Sequence, residues 1–220
     1  MKHLRSLAIL TVVGQTVLLA SAWILPVASE YRLLSDNISE LALGRYGFIQ
    51  TLAFVLSGLG AIGLAYVIRQ LIRGSRGSFV ASILIGIYGL AGVIVAIFPT
   101  DRIDSSADVV SQSTTGWIHT LTALVAYISV TVGMFILTWT FARHADWRPL
   151  VVWSALLAGA ALALLFIQME GPWVGLMQRL LTSTISGWMI LVAIRSYKIA
   201  STRATSREEN SSVMEKQLSD

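Results

Sequence analysis

The sequence predicts an all-α integral membrane bundle of six transmembrane helices, with the N- and C-termini both cytoplasmic. The first observation is composition: 55% of the 220 residues are hydrophobic and 13% are charged, whereas a soluble domain carries about 25% charged residues. The second is that five runs of about 20 residues or more contain no charged side chain, and a sixth contains only Arg179. Such runs cross the hydrocarbon core as helices rather than as open strands, because in lipid the backbone must satisfy its own hydrogen bonds.

The distribution of Lys and Arg is the third observation and predicts the orientation. Of 16 such residues, twelve fall on the side of the chain termini, and only Arg32, Arg45, Arg102 and Arg179 fall on the other. Since Lys and Arg in short loops favour the cytoplasm, we expect a multi-pass protein of the cell membrane with both termini inside. No basic face is interleaved with aromatic residues, so membrane lipids rather than nucleic acid are the expected partners.

The boundaries of the predicted spans follow the charged and turn-forming residues. A transmembrane domain covers residues 1–198. Residues 199–220 are polar, mixed in charge and without apolar periodicity, which predicts a disordered cytoplasmic tail. The six spans are residues 7–27, 48–68, 78–98, 116–141, 150–169 and 174–194.

The first span has an alternative interpretation. Lys2 and Arg5 precede an apolar stretch that contains Ala-Ser-Ala at 20–22, which resembles a signal-peptidase site. Cleavage there would leave five spans and an outer N-terminus. The apolar run continues to Val27, however, which is too long for a typical signal peptide, so a retained span is the preferred interpretation.

The loop after the first span contains a short helix pattern. Asn37 can cap a helix start, Glu40 three residues later can reach back to it, and Gly44 suits the position where a helix ends. We therefore expect one or two helical turns at the membrane interface, with Leu41 and Leu43 facing apolar surroundings.

Small residues mark the second and third spans. They recur at spacings that let membrane helices approach closely, so helix contact is preferred over a pore or cavity role. The residues concerned are Ser57, Gly58, Gly60 and Gly63 in the second span, and Ser82, Gly86, Gly89, Gly92 and Ala96 in the third.

The remaining spans are defined by their ends. Pro99 ends the third span, and the loop 100–115 is rich in Ser, Asp and Thr. The fifth span has no polar residue between Ser154 and Gln168. Because only residues 170–173 separate it from the sixth span, the last two helices are predicted to form a tight antiparallel pair.

Polar residues collect at the outer ends of the spans, where a ligand site is possible. Asp101 follows the end of the third span, and a carboxylate there meets the negative end of the helix dipole unless a cation compensates it. It could equally cap the next turn and face water. The candidate ligand-binding residues are Glu40, Asp101, His119 and Arg179, with Asn37, Ser39, Thr115 and Glu170 in structural or supporting positions.

His119 and Arg179 lie inside predicted spans. His119 is in the first turn of the fourth span, where the positive helix end favours a neutral ring, suited to a metal ligand, a general base or a structural hydrogen bond. Arg179 lies about 9 Å into the sixth span at 1.5 Å per residue. A charge at that depth normally has a partner, and Glu40, Asp101 and Glu170 are the expected acids. Arg179 is either a structural clamp, an Arg reaching the lipid headgroups or an anion site.

Several chemistries are excluded or left open by residue content. Cysteine is absent, which excludes disulfides, thiolate nucleophiles and Cys-ligated metals. The sequence contains no His-Glu-x-x-His, Gly-x-Ser-x-Gly or Gly-x-x-x-x-Gly-Lys motif. One outer His with Asp and Glu could hold a metal through mixed ligands, but no spacing requires it, so metal and cofactor remain unknown.

Four stretches carry a resemblance to a known family. They are Asn-Ile-Ser-Glu-Leu-Ala-Leu-Gly at 37–44, Ile-Phe-Pro-Thr-Asp at 97–101, Thr-Gly-Trp-Ile-His at 115–119 and Gly-Leu-Met-Gln-Arg at 175–179. In this order they resemble the six-span domain-of-unknown-function family numbered 998, which is distantly similar to the FRAG1-like and DRAM-like membrane proteins. The resemblance implies a six-helix fold and no established activity.

Three functional hypotheses follow. The leading one is an outer pocket that binds a lipid headgroup or a small amphiphile, with Arg179 holding its anionic group and Asp101, His119 and Glu40 shaping the rest. The second is a membrane-embedded hydrolase or transferase in which His119 is a general base oriented by Asp101. The third is a structural or accessory protein in which the cluster only fastens helix ends. A transporter is less supported, because spans one to five carry no ionisable residue near the membrane midplane.

Overall fold

The structure, a computed structural model, describes residues 1–102, 113–167 and 172–219. These residues are helical and contain no β-strand. Short 3₁₀ helices cover Ser39–Leu43 and Ala145–Leu150. The α-helices are α1 (Lys2–Ile24), α2 (Gly47–Leu71), α3 (Arg76–Ile97), α4 (Thr114–Ala142), α5 (Val151–Ile167) and α6 (Val174–Ser219).

The prediction of six spans is confirmed. Six helical segments of the described chain are long and apolar enough to cross a membrane, the fifth of them including the second 3₁₀ helix. Successive helices run in opposite directions, so both termini share one end of the bundle, here called the terminal face. The loops after α1, α3 and α5 share the other end, here called the distal face. The cytoplasmic placement of the terminal face stays a prediction.

The helices form a closed ring in chain order. Each helix packs on the next, and α6 returns to pack on α1. α2 also contacts α6 across the ring, and 56% of its most apolar stretch is buried, compared with 17% for the segment that contains α5. α2 is therefore the central helix and α5 the most peripheral one.

Glycine allows the first three helices to pack backbone against backbone. A Cβ atom on Gly58 of α2 would lie 2.5 Å from the Gly89 carbonyl oxygen of α3, and one on Gly14 of α1 would lie 2.3 Å from the Leu56 carbonyl oxygen. The prediction of helix contact is thus confirmed for Gly58 and Gly89. It is wrong for Gly86, which has no neighbouring atom within 4 Å of its Cβ position.

α6 continues beyond its membrane span to Ser219, whereas the sequence predicts disorder over residues 199–220. Neither Gly nor Pro follows Gly187, so no residue type interrupts the helix. Arg203 also fastens this extension to the terminal face. Its Nη2 lies 2.9 Å from Asp146 Oδ2, and its Nη1 donates to the Leu71 carbonyl at 3.1 Å.

Candidate functional site

The loop between α1 and α2 covers the distal face, with the first 3₁₀ helix at its centre. The predicted return contact of Glu40 is confirmed: the Asn37 backbone N–H donates to Glu40 Oε1 at 3.0 Å. The cap itself differs, because Ile38 occupies the N-cap position and no side chain caps it. Ser39, Glu40 and Leu41 are buried, whereas Leu43 is exposed at the surface of the bundle.

Arg179 is fully buried and holds this loop against the helices. Its Nε donates to the Ala22 carbonyl at the end of α1 (3.0 Å). Its Nη1 donates to the carbonyls of Leu33 (3.1 Å), Asp36 (2.6 Å) and Gly175 (3.0 Å). One guanidinium therefore joins α1, the loop and α6.

The expected carboxylate partners of Arg179 require correction. Within the described ranges the guanidinium forms no ion pair, and Asp36 and Glu40 act on it only through longer-range electrostatics. Asp101 is engaged elsewhere, and Glu170 lies outside the described residues. The reason is geometric: the loop passes so close to α6 that its carbonyls reach the guanidinium first. A Cβ on Gly175 would stand 2.4 Å from the Asp36 carbonyl oxygen.

Asp36 stabilises the turn that presents these carbonyls. Its carboxylate accepts hydrogen bonds from the Arg32 backbone N–H (2.9 Å) and the Ser35 hydroxyl (2.8 Å), and forms an ion pair with the Arg32 guanidinium (3.2 Å). Burial alone would raise the pKa of Asp36. The hydrogen bonds and the Arg32 charge outweigh burial, so the pKa lies below its ordinary value of 3.8.

We expect the loop to loosen in acid. Because the folded-state pKa of Asp36 is lowered, its contribution to stability is fully present above the unfolded-state value and is lost as the pH falls through the folded-state value. Amide hydrogen exchange of residues 28–37, corrected for intrinsic rates, should therefore be faster at about pH 3 than at about pH 6. Asp36→Asn should abolish this difference, and an unchanged pH dependence in that variant would contradict the assignment.

Asp101 connects the end of α3 to the start of α4. Its two carboxylate oxygens accept from the Ser113 backbone N–H (2.8 Å) and the Ser113 hydroxyl (2.6 Å). Ser113 is the N-cap residue of α4, and its hydroxyl lies 2.8 Å from Thr115 Oγ1. A carboxylate at the positive end of α4 is placed favourably. This geometry agrees better with the structural interpretation of Asp101, in which it stabilises the next helical turn, than with a ligand contact.

His119 makes a second connection between the same helices. Its Nδ1 donates to the Phe98 carbonyl at 2.8 Å, and the ring is 6% exposed. His119 and Asp101 thus lie at one helix junction, but His119 bonds to the Phe98 carbonyl and Asp101 bonds to Ser113, rather than to each other. Among the described residues, no three His, Asp or Glu side chains lie close enough together to hold a metal ion.

A cavity lies inside the distal half of the bundle, between α2, α3, α4 and α6. About 580 Å³ between its lining residues is free of protein atoms, a volume that includes space open to the outside. His119 is the one residue of the four predicted ligand contacts that lines it. The other lining residues are Leu18, Ile38, Ser39, Phe54, Ser57, Tyr88, Ala91, Gly92, Val95, Ala123, Ala126, Tyr127, Gln178 and Thr182.

The polar groups of this cavity form two hydrogen-bonded sets. The Tyr127 hydroxyl lies 3.2 Å from Thr182 Oγ1 and also interacts with Gln178. Gln178 Oε1 accepts from the Ile38 backbone N–H at 2.7 Å, which ties the loop to the cavity wall. In the second set, Tyr88 of α3 interacts with Ser57 of α2.

Tyr88, Tyr127 and Thr182 are not among the site residues predicted from the sequence. The two tyrosines could have been recognised from the sequence, because a Tyr hydroxyl deep in an apolar span needs a hydrogen-bond partner inside the bundle. Which residue bonds to each Tyr hydroxyl depends on how each helix is rotated about its axis, and the apolar runs in the sequence do not specify that rotation.

Comparison with known proteins identifies one family. The family model described as "Protein of unknown function (DUF998)" matches residues 12–195, which include all the residues that line the cavity. No curated protein and no solved structure matches the chain.

Proposed function

Since the chain belongs to the DUF998 family, whose description assigns no activity, we propose its function from the cavity: this multi-pass membrane protein binds a small amphiphile or the polar head of a lipid in the distal half of its bundle. The orientation proposed from the Lys and Arg distribution places the cavity in the outer leaflet of the cell membrane. The single observation that carries the proposal is an apolar cavity with a few convergent polar groups, the usual form of a small-molecule site.

The lining suggests how such a ligand is held. Phe54, Ala91 and Val95 offer apolar surface to a hydrocarbon part. His119 and the Tyr127–Gln178–Thr182 set offer hydrogen-bonding groups to a polar head. A buried polar head without such partners would be unfavourable, so these groups select an amphiphile over a pure hydrocarbon.

Arg179, Glu40 and Asp101 take supporting roles in this proposal. Arg179 already donates to four carbonyls and retains only Nη2 without a partner, so the ligand need not be an anion. Together with Glu40, it holds Ile38 and Ser39 at the cavity wall, while Asp101 holds the start of α4. Catalysis is not proposed, because the bonds of His119 and Asp101 do not form the acid–base pair that the enzyme hypothesis requires.

The experiment is to fill the cavity. Ala123→Phe adds a ring to a lining position of α4, and Ala163→Phe adds the same ring to an exposed position of α5. We expect native mass spectrometry from mild detergent to show a lipid or amphiphile adduct in the wild type and in Ala163→Phe, but at least tenfold less in Ala123→Phe (about 1.4 kcal/mol).

Thermal unfolding of both variants controls for folding. Equal adducts in all three folded proteins, or bare spectra throughout, would contradict a ligand cavity. That outcome would favour the structural hypothesis, in which the contacts of Arg179, Asp101 and His119 only fasten helix ends.

A further inference from the structure

A second cavity lies on the terminal face, between the turn that joins α2 to α3 and the end of α4. About 1000 Å³ between the residues of this terminal cleft is free of protein atoms, a volume that includes space open to the outside. Gly74 in the turn has φ +80°, a conformation that favours glycine. The cleft is lined by Arg73, Gly74, Ser75, Arg76, Gly77, Trp139, Thr140, Arg143 and His144.

The charged side chains that line the cleft are all positive. Three guanidinium groups line it, on Arg73, Arg76 and Arg143, and no Asp or Glu is among the lining residues. The nearby acid Asp146 is paired with Arg203 outside the cleft. Arg76 makes no hydrogen bond or ion pair within the described part of the chain, so its donors are available to a ligand.

Two further features suit an anion. The N-terminus of α3, which is the positive end of the helix dipole, lies in the cleft. The Ser75 hydroxyl accepts a hydrogen bond from the Ser78 N–H. The backbone N–H groups of Arg76 and Gly77 have no partner within the helix and can therefore bind an anion. Arg143 is held in place by Trp139, with its Cζ 3.4 Å from the ring centre. A fixed guanidinium loses less conformational freedom when it binds.

The position of the cleft indicates a lipid rather than a soluble anion. Trp139 lines it and is exposed on the bundle surface. Aromatic side chains at the end of a span lie at the level of lipid headgroups. Basic pockets between membrane helices at that level bind anionic headgroups.

From these observations we propose that the terminal cleft binds the phosphate group of an anionic phospholipid in the leaflet on the terminal side. Arg76 and Arg143 contact the phosphate oxygens, and Trp139 packs along the upper acyl region. This site is separate from the distal cavity and does not rest on the function proposed for it.

The test is a lipid titration followed by native mass spectrometry. Wild type, Arg76→Gln, Arg143→Gln and the control Arg148→Gln are titrated with phosphatidylglycerol, with phosphatidylcholine and with inorganic phosphate as a competitor. Arg148 is an exposed arginine near the same face that does not line the cleft. We expect phosphatidylglycerol to bind about fivefold more weakly for each cleft arginine removed, and unchanged in Arg148→Gln.

Three outcomes would overturn the proposal. Equal weakening in Arg148→Gln would indicate non-specific attraction to the face. Phosphatidylcholine binding as tightly as phosphatidylglycerol would remove the charge selectivity, and full displacement by equimolar inorganic phosphate would assign the cleft to a free anion. Because Arg76 has no described partner, a normal unfolding temperature is expected for Arg76→Gln, which keeps the test valid if Arg143→Gln folds poorly.

Discussion

Arg179→Met should lower the free energy of unfolding by about 3 kcal/mol or more. Hydrogen bonds to charged groups contribute about 1.5–3 kcal/mol each, and the substitution removes four of them. It also leaves the carbonyls of Leu33 and Asp36 without this donor. The loop over the distal face should detach, because the guanidinium joins it to both α1 and α6.

The measurement is equilibrium unfolding in mild detergent, with Arg179→Lys and Arg45→Met alongside. Lys keeps the charge but cannot reproduce the planar array of donors, so an intermediate loss is expected. Arg45 is an exposed arginine of the same loop, and its replacement should change stability by less than about 0.5 kcal/mol. Unfolding of Arg179→Met at the same denaturant concentration as Arg45→Met would refute the clamp.

Gly89→Ala should destabilise the bundle, whereas Gly86→Ala, one turn earlier in α3, should not. A Cβ on Gly89 would lie 2.6 Å from the Gly58 carbonyl oxygen and 2.9 Å from the Ile62 backbone nitrogen. Backbone atoms cannot rotate away as a side chain can, so α2 and α3 must separate. Overpacking of this kind costs about 1–3 kcal/mol.

Gly86 provides the matched control, because the same methyl group is added to the same helix in open space. Ala is favoured over Gly in a helix by about 1 kcal/mol, so Gly86→Ala should be neutral or stabilising. The unfolding midpoints of the two variants should therefore move in opposite directions. Loss of stability in both would show that the contact between Gly58 and Gly89 is not the cause.

Arg179 shows which features of the site could be predicted from the sequence and which could not. Its depth in an apolar span correctly predicted that it is buried among partners. Two of the three expected partners were wrong, since Glu40 and Asp101 form no ion pair with Arg179 and four carbonyls accept its hydrogen bonds instead. The third, Glu170, lies outside the described residues. The 3₁₀ helix shows the same pattern: the contact of Glu40 with the Asn37 N–H was predictable from a three-residue spacing. The burial of Ser39, Glu40 and Leu41 was not predictable in this way.

The arrangement of side chains around the distal cavity was the feature least predictable from the sequence. The cavity's Tyr88, Tyr127 and Thr182 come from three different helices, α3, α4 and α6. Whether these side chains face one another depends on the rotation of each helix about its axis. Close contacts such as that between Gly58 and Gly89 set that rotation, and the hydrophobicity of a span does not show which residues make them.

By itself the sequence determined the number of helices, their approximate ends, the family and the side of the bundle on which charge collects. These properties follow from the length of apolar runs and the placement of Lys and Arg, which are local along the chain. Only the tertiary structure decided that Arg179 binds carbonyls, that Asp101 binds Ser113 at the start of α4, and that His119 lines a cavity. Hydrogen bonds form only within about 3 Å, so their partners are decided by how the helices and loops pack in three dimensions.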